Sequence, residues 1–253
     1  MAEIGTVEDF AGKKVSPLQP VEADQLTKLV KTLKPDQASS MLAQIGGLVG
    51  DSDRVAAIAK QMQDKDNTIG TAMAFASSKT TQGRYTAELV LQGAQAIKDK
   101  SIKVDGVAES GWRAQIAKQV RGAYSNQEAE DQIINAAFLI AAAKGGDVDN
   151  ALNLATGGII ERNGGKLPLP YGMKEREFDK RLSAITPADL QGQAASGFVQ
   201  AGSARVPLAQ FIQSIPDAQL VHAGQGRYNV RAGTTLVTNE QGKRITLQIG
   251  PVQ

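Results

Sequence analysis

Apolar residues in this chain recur at steps of three and four from Leu26 to the run ahead of Gly157, and at steps of two from Gln219 onward. A period near 3.6 buries one stripe of a helix and a period of two buries one face of a strand. The change of period therefore predicts helices first and a sheet last. Leu26, Leu29, Val30 and Leu33 make the first stripe, closed by Lys34-Pro35, and Pro35 is then tolerated in the first turn of a second helix. Leu42, Ile45, Leu48 and Val49 continue that helix to Gly50, and Ser52 is the expected N-cap of a third, carrying Val55, Ile58 and Met62.

Further helices are expected over 68–78, 84–98, 110–121 and 126–144. The last begins in Ser125-Asn126-Gln127-Glu128, a capping-box pattern, and stops at Gly145-Gly146 after an Ala-rich body apolar on most sides, which marks it as the central helix. A short helix over 148–155 ends at Gly157-Gly158. Residues 157–170 then form an extended connection rich in Gly and Pro. Beyond it come helices over 174–184 and 187–194, a strand pair over 197–206, and a helix opened by Pro207 with Leu208, Phe211 and Ile212, stopped by Pro216. Leu220 and His222, then Tyr228 and Val230, then Leu236 with Ile245, Leu247 and Ile249 read as three strands turning at 224–226 and 239–242.

The expected fold class is mostly α: an N-terminal multi-helix bundle, then a small α+β module with a C-terminal antiparallel three-stranded meander covered by the Pro207 helix. Residues 1–20 read as an irregular N-terminal segment, 21–158 as a helical domain and 159–253 as a small α+β domain.

Composition narrows the chemistry. One Trp, four Tyr and six Phe leave few platforms on which bases or sugars could stack. Twenty-eight basic and 26 acidic residues are mixed along the chain, so no strong nucleic-acid footprint is expected. Lys13-Lys14 and the series Lys28, Lys31, Lys34 come nearest to a cluster, and the series reads as one solvated helix face. The absence of cysteine removes disulfides, thiol nucleophiles and cysteine-zinc sites. The opening residues carry Glu3, Glu8, Asp9 and two lysines without a signal-like apolar run. The longest apolar run, 133–143, is about half of the roughly 20 residues a membrane span needs, so no membrane-spanning segment is expected.

Glu109-Ser110-Gly111-Trp112 resembles the Glu-Ser pair of lytic transglycosylases, in which a glutamic acid in an apolar cleft protonates the glycosidic oxygen. That family expects a Gly-(Leu/Ile)-Met-Gln turn after the helix, whereas this chain runs Gly122-Ala123-Tyr124-Ser125. A Glu and a Ser are also favoured at a helix N-terminus by capping and dipole alone. Asp64-Lys65-Asp66 and Asp147-Val148-Asp149 suggest calcium loops only until counted. From Asp64 the positions needing Gly and Glu hold Ile69 and Phe75, and from Asp147 the sixth residue is Leu152, so these read as helix-start aspartates. Gly224-Gln225-Gly226 lacks the Lys-Ser/Thr and following helix of a phosphate loop and reads as a hairpin turn. His222, the only histidine, reads as structural, and Trp112 as a core anchor. No catalytic, cofactor-binding or metal-binding residue is therefore expected, and no cofactor.

The segments Ala155-Thr156-Gly157-Gly158, Leu167-Pro168-Leu169-Pro170-Tyr171-Gly172-Met173, Pro216 to Leu220, Gly226-Arg227-Tyr228, Val230 to Gly233 and Leu236 to Asn239 are similar to the C-terminal region of very large virion proteins of tailed phages and prophages. The resemblance implies an internal virion or ejection protein, located in the phage particle and in the cytoplasm of the producing bacterium, with other virion proteins or further copies of itself as partners. It also implies a reading frame that extends upstream of Met1. Two other functions stay open on the sequence: a peptidoglycan-cleaving domain with Glu109 as general acid, and a host-encoded binding protein.

Overall fold

A computed structural model of the chain describes residues 16–250 except Lys79, Ser125, Asn126 and Gln225. The Lys13-Lys14 pair and the capping box begun by Ser125 lie outside the described residues. The fold class is the expected one, mostly helical with small antiparallel sheets at the C-terminal end. The described residues pack as two compact units, 16–113 with 135–151 and 114–134 with 152–250. The division differs from a single boundary after Gly158, because 114–134 groups with the C-terminal part.

In the first unit, helices α1 (Pro20–Thr32), α2 (Pro35–Val49), α3 (Ser52–Gln63), α4 (Asn67–Ala76) and α5 (Thr81–Lys98) follow in short succession. Proline stands in the first turn of α1 and α2, where its missing amide removes no helix bond. Gly50 ends α2 at φ 72°, as expected. The cap of α3 is Asp51, not Ser52: its Oδ1 accepts the Asp53 and Arg54 amides at 3.0 and 2.9 Å. Asp66 caps α4 in the same way, whereas Asp64 stands at the C-terminal end of α3, so only one of these two aspartates starts a helix.

The buried face of α1 is Ala23, Thr27 and Val30, not the leucine stripe; Leu29 is exposed and Leu33 lies past the helix end. On α2, Ala38, Ser39, Leu42 and Gly46 are buried and Leu48 is 88% exposed. Small residues win the interface because they let backbones approach, which bulky side chains on the same turn would prevent. The closest such approach joins Gly93 of α5 to the second half of α7 (Gln127–Ala143): a Cβ on Gly93 would fall inside the Leu139 carbonyl group. From Ala136 to Ala142 every residue of α7 is buried, in keeping with a central helix, and Gly146 closes its end by donating to the Ala141 carbonyl at 2.8 Å. The first half of α6 (Gly106–Val120) also belongs here.

The second unit takes the end of α6, the start of α7, the end of α8 (Val148–Thr156) and everything after. The expected extended connection after Gly158 is instead a hairpin, β1 (Ile159–Arg162) with β2 (Gly165–Pro168). Asn163 and Gly164 turn it at φ 47° and 76°, and two successive positive φ values are what a tight two-residue hairpin turn demands. After α9 (Glu175–Ser183) and the single turn α10 (Pro187–Leu190) come the hairpin β3 (Phe198–Ala201) with β4 (Ala204–Pro207), α11 (Leu208–Ser214) and a 3₁₀ turn, Ile215–Asp217.

The last sheet has β5 (Gln219–His222), β6 (Arg227–Ala232), β7 (Thr235–Leu236) and β8 (Thr246–Gln248). β5 pairs with β6 over Tyr228 to Arg231, while β7 meets Arg231 and Ala232 and β8 meets Arg227 to Asn229. β7 and β8 therefore share the second edge of β6, and the sheet is three positions wide although it contains four strands. Phe178 of α9 meets Tyr228 edge-on at 5.2 Å, and Leu208 and Phe211 of α11 join the same core. The cover is thus built from two helices and not from the Pro207 helix alone.

Candidate functional site

Helix α6 begins at Gly106, with Asp105 accepting the Val107 and Ala108 amides at 3.1 and 2.8 Å. Glu109 and Ser110 therefore lie inside the helix and do not cap it. Four residues on, Arg113 faces Glu109, and its Nε donates to Glu109 Oε1 at 2.8 Å. The Glu109 side chain is 46% exposed, the reverse of an apolar cleft floor. Arg113 is held in turn by Asn135, whose Oδ1 accepts from Nη2 at 3.4 Å, and by the Phe138 ring 3.9 Å below its Cζ. Trp112 is half-buried, packed on Phe138 with ring centroids 6.3 Å apart and covering Gly146. Both Arg113 and Trp112 are thus explained by the attachment of α6 to α7 within the first unit.

The remaining sequence candidates are dispersed. Lys28 pairs with Asp24 and Lys31 with Asp66, each at 2.8 Å, and Lys34 lies beyond the end of α1, so the three lysines do not form one helix face. The Asp24 carboxyl is held below the usual range by its hydrogen bond from Lys28. A cavity of about 500 Å³ opens beside Lys31, Lys34, Lys98 and Asp66. Of the two acids that line it, Asp66 and Asp99, the first is already committed, since Asp66 Oδ1 accepts the Thr68 and Ile69 amides while Oδ2 takes Lys31. Asp147 starts α8, accepting from Asn150 N at 3.1 Å. Among the described residues no group of His, Asp or Glu side chains is placed to hold a metal ion, and no helix is long and apolar enough to cross a membrane.

In the second unit His222 sits among rings. Tyr124 stands edge-on at 5.2 Å and Tyr228 at 5.4 Å, and Gly224 N donates to His222 Nδ1 at 3.3 Å. Burial first, and Arg227 second, lower its pKa to about 4. Burial likewise raises the pKa of both tyrosine hydroxyls, and the Tyr228 hydroxyl donates a hydrogen bond to the Pro168 carbonyl at 2.6 Å. Neutral rings locked in this way supply packing and no proton traffic. Gly224 and Gly226 turn the β5–β6 hairpin at φ 88° and 67°, which is the hairpin reading of that glycine pair.

Comparison with known proteins brings no match. No family model fits the sequence, and no curated protein or solved structure is significantly similar to it.

Two groups escape a reading of the sequence alone. Glu130, 7% exposed, accepts from Gly122 N at 2.7 Å and from Arg121 Nη1 at 3.1 Å, closing the α6–α7 turn. Hydrogen bonds to Asp131 first and Glu130 next raise the Arg121 pKa above its ordinary value. Asn163 is signalled by Asn163-Gly164, a strong hairpin dipeptide, which the glycine pair beside it obscures.

Proposed function

We propose that this chain is a non-catalytic structural and interaction module of a phage or prophage virion protein, belonging to a genome-ejection protein carried in the particle. One observation carries this reading. The segments that resemble virion proteins supply the core of the second unit, where Leu167, Leu169, Met173, Leu220, Tyr228 and Val230 are buried together. The residues that carry the resemblance are thus those that hold the scaffold, and the function is carried over from that scaffold by analogy.

The exposed, arginine-paired Glu109 supports the same reading, because a general acid in glycoside cleavage needs an apolar pocket to retain its proton. Mass spectrometry of purified particles of the source phage tests the proposal: the polypeptide is expected among the virion proteins, and its repeated absence rejects it. A parallel assay asks whether the chain releases muropeptides from peptidoglycan under conditions in which a control enzyme does. None is expected, and release abolished by Glu109→Gln would establish the enzymatic alternative.

A further inference from the structure

The only Asn-Gly step in the sequence is Asn163-Gly164, and it forms the β1–β2 turn. Asn163 is exposed, yet its side-chain Nδ2 is engaged, donating to the Pro216 carbonyl at 3.1 Å and the Ala218 carbonyl at 2.9 Å. Arg162 Nη2 donates to the same Pro216 oxygen at 2.8 Å, and Gln219 packs on Gly165. The hairpin tip is thereby clamped to the 3₁₀ turn and the start of β5, and the clamp uses both amide protons of one asparagine.

We propose that Asn163 is a deamidation site held in check by this clamp, and that its conversion releases the hairpin tip. In the reaction the Gly164 backbone nitrogen attacks Asn163 Cγ, the Cγ–Nδ2 bond breaks, and ammonia leaves with the proton lost from the Gly164 nitrogen. The resulting succinimide takes up one water, and cleavage of either imide C–N bond gives aspartate or isoaspartate. Glycine in second place puts no side chain in the path of the attack. While Nδ2 is bound to two carbonyls, Cγ is not free to rotate toward the Gly164 nitrogen, so the reaction waits on local opening. Once formed, the carboxylate has no proton to donate and faces two carbonyl oxygens, so the clamp cannot close again.

Peptide mapping of the chain aged in mildly alkaline buffer, folded or in urea, measures the conversion. The folded chain is expected to convert at least about ten-fold more slowly, the factor that a modest local opening energy imposes. Equal rates would overturn the protection. The consequence is read from thermal melts of Asn163→Asp and Asn163→Gly. Both lose the clamp and both place a residue that tolerates the turn, but only the aspartate sets a carboxylate against the Pro216 and Ala218 carbonyls. Arg162, the cation on the same Pro216 oxygen, is already paired with Asp179. Asn163→Asp is expected to melt below Asn163→Gly at neutral pH, with the gap narrowing as pH falls through the carboxyl range. An aspartate variant that melts at or above the glycine variant at neutral pH would overturn the release.

Discussion

The His222 imidazole stands edge-on to Tyr228 with ring centroids 5.4 Å apart and planes at 76°, while its Nδ1 accepts the Gly224 amide. The ring is therefore neutral in the fold and has its acceptor nitrogen occupied. Its pKa falls from 6.5 to about 4, so the unfolded chain binds the proton first as pH drops. The stability this contributes is complete above pH 6.5 and is lost progressively toward pH 4, up to about 3 kcal/mol. Urea unfolding across that range is expected to show a falling midpoint in the wild type and a flatter profile in His222→Phe. An identical slope in the variant would assign the acid sensitivity elsewhere.

Glu130 predicts a difference between two substitutions. Alanine leaves the Gly122 amide without its acceptor and is expected to cost about 2 kcal/mol by chemical denaturation. Glutamine keeps a carbonyl oxygen in place and loses only the charge opposite the half-exposed Arg121, so its cost is expected to be roughly half as large.

Two glycines on helices are expected to respond in opposite directions. Gly93→Ala forces α5 off the Leu139 carbonyl and should destabilise by about 1–3 kcal/mol. Gly111→Ala in α6 meets nothing within 4 Å and should stabilise by about 0.5–1 kcal/mol through helix propensity. Calorimetry of the two variants checks both signs.

Asp66→Ala removes the acceptor for two amides at the start of α4 and should cost about 1 kcal/mol, whereas Asp64→Ala, at the end of α3, should leave stability nearly unchanged. Equal losses, read from urea midpoints, would mean that the cap at Asp66 contributes nothing of its own.

Most helix limits are legible because they are written locally: Pro35 at a helix start, Gly50 and Gly145-Gly146 at helix ends. The cap of α3 falls on Asp51 and not on Ser52 because two adjacent residues both suit that position and only backbone geometry separates them. The hairpin at 159–168 is hidden in the sequence because its strands are four residues each, too short for a period of two to show. Glu109 can be doubted from its flanking residues, but its pairing with Arg113 and its exposure needed the folded chain.

Local patterns along the chain specify its class: helices first, small antiparallel sheets last, no thiol chemistry, and turns placed by glycine and proline. Those properties rest on interactions within a few residues, which periodicity and turn chemistry encode directly. Long-range packing, by contrast, buries Ala23 and Gly46 and leaves Leu29 and Leu48 outside. It alone brought Tyr124 to His222 and Asn163 to Pro216, since such pairs depend on how closely distant backbones can approach, and no local pattern carries that distance.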